Sequence, residues 1–222
     1  MNNMRLLKAL KGLPLIATLR RTQRWAPGSI VNLSLASPIL RPLQVRSELE
    51  RFAAIVDDLR PNTLLEIGTD RGGTLCIFSR LAGPDSTIIS LDLPTESVSY
   101  RWFFEFIFKS FTYGKQRLHL LRGDSQSREM AGAVRNIMGE SKKLDLLFID
   151  GDHSYKGVKR DFELYSDLVR PGGVIAFHDI AEHPTPACEV SKFWSEIKST
   201  YRHEEIIENR SQGWAGIGIL YV

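Results

Sequence analysis

Two stretches of this sequence carry residue types that do chemistry. One is Phe148-Ile149-Asp150-Gly151-Asp152-His153, and the other is Ala176-Phe177-His178-Asp179. Each is an apolar run that ends in carboxylate and imidazole groups. Carboxylates that converge in a cleft are costly unless a cation or a proton neutralises them. A hard divalent ion with oxygen ligands is the natural resident for Asp150 and Asp179, and Mg2+ is the default. His178 could add a nitrogen ligand, which would favour Mn2+ or Fe2+. His153, three residues past Asp150, is a side chain of the right type for a general base, with a ligand role as the alternative. Asp152 either orients His153 or caps a turn, and Tyr155, Lys156 and Asp161 are expected to serve the helix that follows.

A different chemistry is suggested by Glu66-Ile67-Gly68-Thr69-Asp70-Arg71-Gly72-Gly73-Thr74. Glycines let a ligand approach the backbone, and a following helix points its free N–H groups at it. The loop lacks the Gly-Lys-Ser/Thr of a phosphate-cradling turn. Its spacing of Gly68, Gly72 and Gly73 also departs from the dinucleotide pattern G-x-G-x-x-G. Asp92 lies 24 residues past Gly68, where an acid can accept hydrogen bonds from ribose hydroxyls; the plainer reading is a turn aspartate. Gly123-Asp124-Ser125 is placed to meet an adenine edge, although it is also a good turn sequence.

These residues need elements to hold them. Apolar strands are expected at Thr63–Ile67, Thr87–Leu91, Arg117–Leu121, Leu144–Ile149 and Gly173–Phe177. Helices are expected at Glu48–Leu59, Thr74–Leu81, Ser97–Phe111, Ser127–Met138, Lys156–Val169 and Glu189–Thr200. Short strands alternating with helices give βαβ units, hence a parallel sheet covered on both faces and a doubly wound α/β architecture. Two last strands, His203–Glu208 and Gly216–Val222, are joined by a linker too short for a helical crossover, so the final strand should run antiparallel. In such a sheet, ligands sit outside the carboxyl ends of the strands. Neighbouring strand ends are about 5 Å apart, which lets Asp150 and Asp179 converge.

The three loops together resemble the class I S-adenosylmethionine-dependent methyltransferases over residues 44–222, with their seven-stranded Rossmann-like fold. The resemblance implies that Glu66, Gly68, Thr69, Asp70, Gly72 and Gly73 approach the methionine part of the cofactor. It places Asp92 at the ribose, and Asp124 and Ser125 at the adenine. The segment from Asp150 is similar to the metal-dependent sugar and natural-product O-methyltransferases and the cephalosporin-hydroxylase-like group. That likeness implies a metal held by Asp150 and Asp179, with His178 standing where an acid is expected, and His153 as base. Asp150 is also placed near the cofactor. The implied reaction is methyl transfer to a hydroxyl oxygen of a small molecule or sugar. Rival readings are a nicotinamide-dependent oxidoreductase, a non-catalytic binding module and a two-histidine, one-carboxylate oxygenase.

Composition limits the partners. The chain has 29 Lys and Arg against 26 Asp and Glu. Residues 1–47 hold eight of the basic groups and no acid, so the rest is a mildly acidic body. That balance, with no recognisable reading module, argues against nucleic acid. A hydrophobic share of 43% with 25% charge excludes wholesale disorder. Cys76 and Cys188 make no disulfide framework, and Leu13–Leu19 is short, contains Pro14 and runs into Arg20-Arg21, so a cytoplasmic location is expected. Residues 1–43 are expected to form a basic arm outside the fold. It leaves open a clasp on a second copy, a lid, or peripheral membrane contact, and its prolines argue against one long amphipathic helix. Eight of the 21 aromatic residues fall within Tyr100–Tyr113, about half of them expected in the core. Trp194 and Trp214 are expected in the core as well.

Overall fold

The computed structural model describes residues 3–94, 98–139, 143–184 and 188–222. The strands are β1 (Thr63–Ile67), β2 (Thr87–Asp92), β3 (Arg117–Arg122), β4 (Leu144–Ile149), β5 (Val169–His178), β6 (Arg202–Ile206) and β7 (Ile217–Tyr221). They form one sheet in the order β3-β2-β1-β4-β5-β7-β6. Pairing is parallel from β3 through β5, whereas β7 runs antiparallel to both β5 and β6. The strand order reverses between β1 and β4, which is where an open sheet of this kind offers a crevice.

The helices are α1 (Asn3–Arg21), α2 (Pro27–Ala36), α3 (Arg46–Leu59), α4 (Gly73–Leu81), α5 (Val98–Phe108), α6 (Arg128–Met138), α7 (Tyr155–Tyr165) and α8 (Val190–Ile197). Side chains alternate across each strand, and both faces are covered. Leu64, Ile88, Leu146, Phe148 and Ala176 join one core with α1 to α5. Leu65, Ile89, Leu147, Ile149 and Phe177 join the other, with α6, α7 and α8. This two-sided burial is why the central strands read as continuous apolar runs.

The structure corrects two expectations. The helix expected over Lys156–Val169 stops at Tyr165, passes through a 3-10 turn at Ser166–Leu168, and β5 already begins at Val169. Arg170-Pro171-Gly172-Gly173 is carried inside β5 because the β4–β5 register shifts between Leu144 and Leu146, a bulge that absorbs extra residues. Asp145, at that bulge, accepts the Asn62 and Thr63 N–H groups at 2.7 and 2.8 Å and the Arg170 Nε at 2.6 Å. It thereby ties the starts of β1 and β5 together.

The second correction concerns residues 1–43. The described part of this segment, expected to stand outside the fold, packs on it as the two helices α1 and α2. Leu19, Ile30, Val31 and Leu40 are fully buried in the first core, each contributing roughly 1.5–3 kcal/mol. Pro14 lies inside α1, while Pro27 opens α2, where its missing N–H costs nothing. Arg80 of α4 is 2% exposed and donates to the carbonyls of Thr22 and Gln23 at 3.1 and 3.3 Å and of Ser110 at 2.7 Å. The side chains of Arg5, Lys8 and Lys11, and Ser97 at the start of the aromatic segment, lie outside the described residues. No described helix is long and apolar enough to cross a membrane.

Candidate active site

The β1–α4 loop is shaped by close contact with the β4 end. The Asp150 N–H donates to the Ile67 carbonyl at 2.8 Å, and Gly68 N–H to the Leu91 carbonyl at 2.9 Å. Gly68 has φ +85°, and a Cβ there would lie 1.9 Å from the Asp150 carbonyl oxygen. Only glycine meets both conditions. Asp92 Oδ2 accepts the Thr69 and Asp70 N–H groups at 3.2 and 2.9 Å, and its Oδ1 accepts Leu93 N–H at 2.7 Å. Asp92 thus braces the glycine loop while bordering the cavity. Gly72 caps α4 with φ +77°, and the free amides of the first turn open beside it.

A cavity of about 970 Å³ lies at these carboxyl ends. Of the residues predicted from sequence, Gly68, Thr69, Asp70, Gly73, Asp92, Asp124, Ser125, Asp150, His153, His178 and Asp179 border it. Glu66 and Gly72 do not. Glu66 is wholly buried, and that burial pushes its carboxyl up to about 8. Asp124 also holds a turn, accepting Gln126 N–H at 2.9 Å. Asp152 accepts Ser154 N–H and Gln126 Nε2, each at 2.9 Å, and so caps the turn into α7. Asp161 is buried, and burial raises its carboxyl to about 7.

Among the bordering residues not predicted from sequence are Gln44, Arg122, His183 and Trp214. Gln44 Nε2 donates to Asp150 Oδ2 at 3.0 Å across 106 residues of sequence, which no local pattern could reveal. Trp194 is core at 2% exposure, but Trp214 is 43% exposed at the cavity. Among the described side chains of the aromatic segment, Phe103, Phe104, Phe108 and Phe111 are buried and Phe106 is exposed. His183 could have been noticed as an imidazole four residues past Asp179, and Arg122 as the residue ending β3.

The acids and imidazoles expected to converge do so. His178 Nδ1 stands 3.2 Å from Asp150 Oδ1 and 3.4 Å from Asp179 Oδ2. His153 Nδ1 is 3.3 Å from Asp179 Oδ2, and its Nε2 is 3.6 Å from Asp150 Oδ1. His183 Nε2 is 3.3 Å from the other Asp179 oxygen, which also accepts Ala215 N–H at 3.0 Å. Successive side chains on a strand point to opposite faces. His178 and Asp179 share one side because Asp179, just past the end of β5, has φ +63°. Such a left-handed non-glycine residue costs about 1–3 kcal/mol and persists only where its surroundings hold it.

Burial works against charge on these groups, and their mutual contacts outweigh it. Burial opposes an imidazolium at His178, but the adjoining Asp150 and Asp179 carboxylates raise its proton affinity well above the usual histidine range. The reciprocal attraction from His178 holds Asp150 and Asp179 below the ordinary carboxylate range despite their burial. His153 is raised, chiefly by its contact with Asp150.

Asp150, His178 and Asp179 each offer one ligand atom, and the three lie within 4.8 Å of one another. Adjacent ligands of an octahedral ion with bonds near 2.1 Å are separated by about 3 Å. The observed 3.2 and 3.4 Å are close to that. These residues therefore fit a divalent ion. His153, Asp179 and Cys188 form a second group of the same size.

A seven-stranded sheet whose strand order reverses between β1 and β4, with a glycine loop, two acids and an acid–histidine cluster at that crevice, defines a class I methyltransferase domain. The profile of the methyltransferase domain family matches residues 65–180, just over half of the chain, and the chain belongs to that family. An uncharacterized protein of Sinorhizobium fredii is 28% identical over 154 residues, which is 64% of this chain and 16% of that protein. The chain therefore spans a small part of that relative's length. An O-methyltransferase from Bacillus cereus, solved in complex with SAH, superposes with a TM-score of 0.62 at 16% identity, covering 88% of this chain and 90% of that one. The MycE methyltransferase of the mycinamycin biosynthetic pathway, in complex with Mg and SAH, gives 0.61 at 15% identity over 90% of this chain and 55% of its own.

Proposed function

We propose that this domain transfers the methyl group of S-adenosylmethionine to a hydroxyl oxygen of a small molecule or sugar, with a divalent ion and a histidine base. The observation that carries the reading is one shared cavity. It joins the glycine loop and Asp92 to the cluster of Asp150, His153, His178 and Asp179. Relatives of the same fold solved with SAH, one of them with Mg, support it. The spacing of Gly68, Gly72 and Gly73 speaks against the nicotinamide alternative.

The sulfonium is the electrophile, and a divalent ion, when bound, would lower an acceptor hydroxyl's pKa and fix its position. The chain's own residues do the rest. Asp92 holds the Thr69 and Asp70 amides in place and so fixes the shape of the loop. Gln44 and the Ala215 amide fix the orientations of Asp150 and Asp179. His153, half-buried and open to the cavity, takes the hydroxyl proton on its imidazole, where the adjacent carboxylates stabilise the added charge.

Calorimetry with S-adenosylmethionine tests the reading directly. Binding at tens of micromolar cofactor is expected, and its absence overturns the methyltransferase assignment. His153→Ala should keep that binding while abolishing turnover. If Asp150→Asn and Asp179→Asn leave turnover indifferent to a chelator, the metal has no part in it.

A further inference from the structure

We propose that the ion taken by this cluster is a first-row transition ion bound through the His178 imidazole, in preference to Mg2+. The proposal rests on the reading that a divalent ion assists the transfer, and it concerns which ion the chain selects. Mg2+ favours an all-oxygen octahedron and keeps several of its waters. Imidazole nitrogen suits Fe2+, Co2+ and Zn2+ far better, and the affinity of a given site rises from Mn2+ through Fe2+ to Co2+.

Three features make His178 a built-in donor. Its side chain is 5% exposed, so the ring cannot swing out into solvent and leave its position to water. Its Nδ1 is equidistant, within 0.2 Å, from Asp150 Oδ1 and Asp179 Oδ2, at 3.2 and 3.4 Å. The left-handed backbone at Asp179 turns that carboxylate onto the same side as the ring. The far oxygen of Asp179 is pinned by Ala215 N–H and faces His183 Nε2, which makes His183 a positioning residue for Asp179.

The alternative is that His178 carries a proton and serves as the counter-charge itself, with no ion. The two arrangements put different things between the same atoms. In one, Nδ1 gives a lone pair to a metal; in the other, it gives a proton to the carboxylates.

Titration calorimetry of the full chain with Mg2+, Mn2+, Co2+ and Zn2+ separately, with pulsed EPR of the Mn2+ form, distinguishes them. Expected are Mn2+ and Co2+ affinities at least tenfold above that for Mg2+, and 14N coupling in the EPR spectrum. His178→Glu replaces nitrogen by oxygen; it should remove that coupling and lower the Co2+-to-Mg2+ affinity ratio at least tenfold. Bound Mn2+ without 14N coupling in the native protein overturns the proposal, and this measurement stands even if His178→Glu does not fold. Coupling that persists in folded His178→Glu also overturns it, because another nitrogen is then the donor. Absence of binding by every ion overturns both this proposal and metal assistance. S-adenosylmethionine binding, measured alongside, reports separately on the methyltransferase reading.

Discussion

Replacing Glu66 by Gln should stabilise the protein at neutral pH and do almost nothing at pH 5. Glu66 lies wholly buried in β1, and burial raises its carboxyl from an ordinary 4.5 to about 8. Between those values the folded chain holds a proton that the unfolded chain has released. Folding stability from this residue is therefore complete below about pH 4.5 and falls as pH rises toward about 8. Each pH unit inside that window costs about 1.4 kcal/mol. From pH 5 to pH 7 the loss is on the order of 3 kcal/mol, a sizeable part of a typical total of about 5–15 kcal/mol. Glutamine has nearly the shape of the protonated acid and does not titrate. Urea unfolding of both proteins at pH 5, 6, 7 and 8 gives the difference in stability at each pH, and titrating groups that do not interact with Glu66 cancel in it. That difference should climb in favour of Glu66→Gln by about 3 kcal/mol between pH 5 and 7, or roughly 6–12 °C in Tm at this chain length. A flat difference would mean that Glu66 ionises normally in the folded protein, and the burial argument would be refuted.

Gly68→Ala should cost at least about 3 kcal/mol, because the positive φ and the 1.9 Å approach to the Asp150 carbonyl add strain to overpacking; thermal unfolding of the variant measures it. Arg80→Met keeps the buried stem but leaves the Thr22, Gln23 and Ser110 carbonyls without their donor. A loss of about 3 kcal/mol or more is expected, with new protease cleavage near residues 22–26 as the local sign. The two late tryptophans should behave oppositely. Trp194→Ala removes a core ring and should cost about 3–5 kcal/mol, whereas Trp214→Ala, at the cavity, should cost less than about 1 kcal/mol in the same denaturation assay.

The sheet was legible because its signal is local. Each central strand is a short apolar run bounded by turn residues, and the short link before β7 leaves an antiparallel return as the only economical course. Element ends were less legible where long-range pairing sets them. Arg170-Pro171-Gly172-Gly173 reads as a break between a helix and a strand, yet the bulge opposite Leu144–Leu146 lets β5 run through it. The first 43 residues misled for another reason. Their charge is one-signed and their prolines interrupt any single helical pattern, so they read as an arm. Burial of Leu19, Ile30, Val31 and Leu40 depends on a surface that α3, α4 and α5 create together, and nothing in the segment itself announces it.

At the site, strand-end residues were legible and their restraints were not. Asp150, His153, His178 and Asp179 follow directly from the ends of two adjacent strands. The groups that hold them come from elsewhere: Gln44 from before α3, Ala215 from before β7, and His183 from the loop beyond β5. All of these are neutral dipoles or imidazoles. Among the described residues no Lys or Arg pairs with Asp150 or Asp179, although Asp145 and Glu205 elsewhere do have such partners. A fixed guanidinium or ammonium would neutralise the acids permanently and compete with any ion. An imidazole neutralises them only while protonated, and on losing that proton it becomes a ligand. On the proposed metal reading, the same histidines would balance the acids while protonated and serve as ligands once they are not. Histidine rather than arginine beside Asp150 and Asp179 is therefore what the proposed metal site calls for.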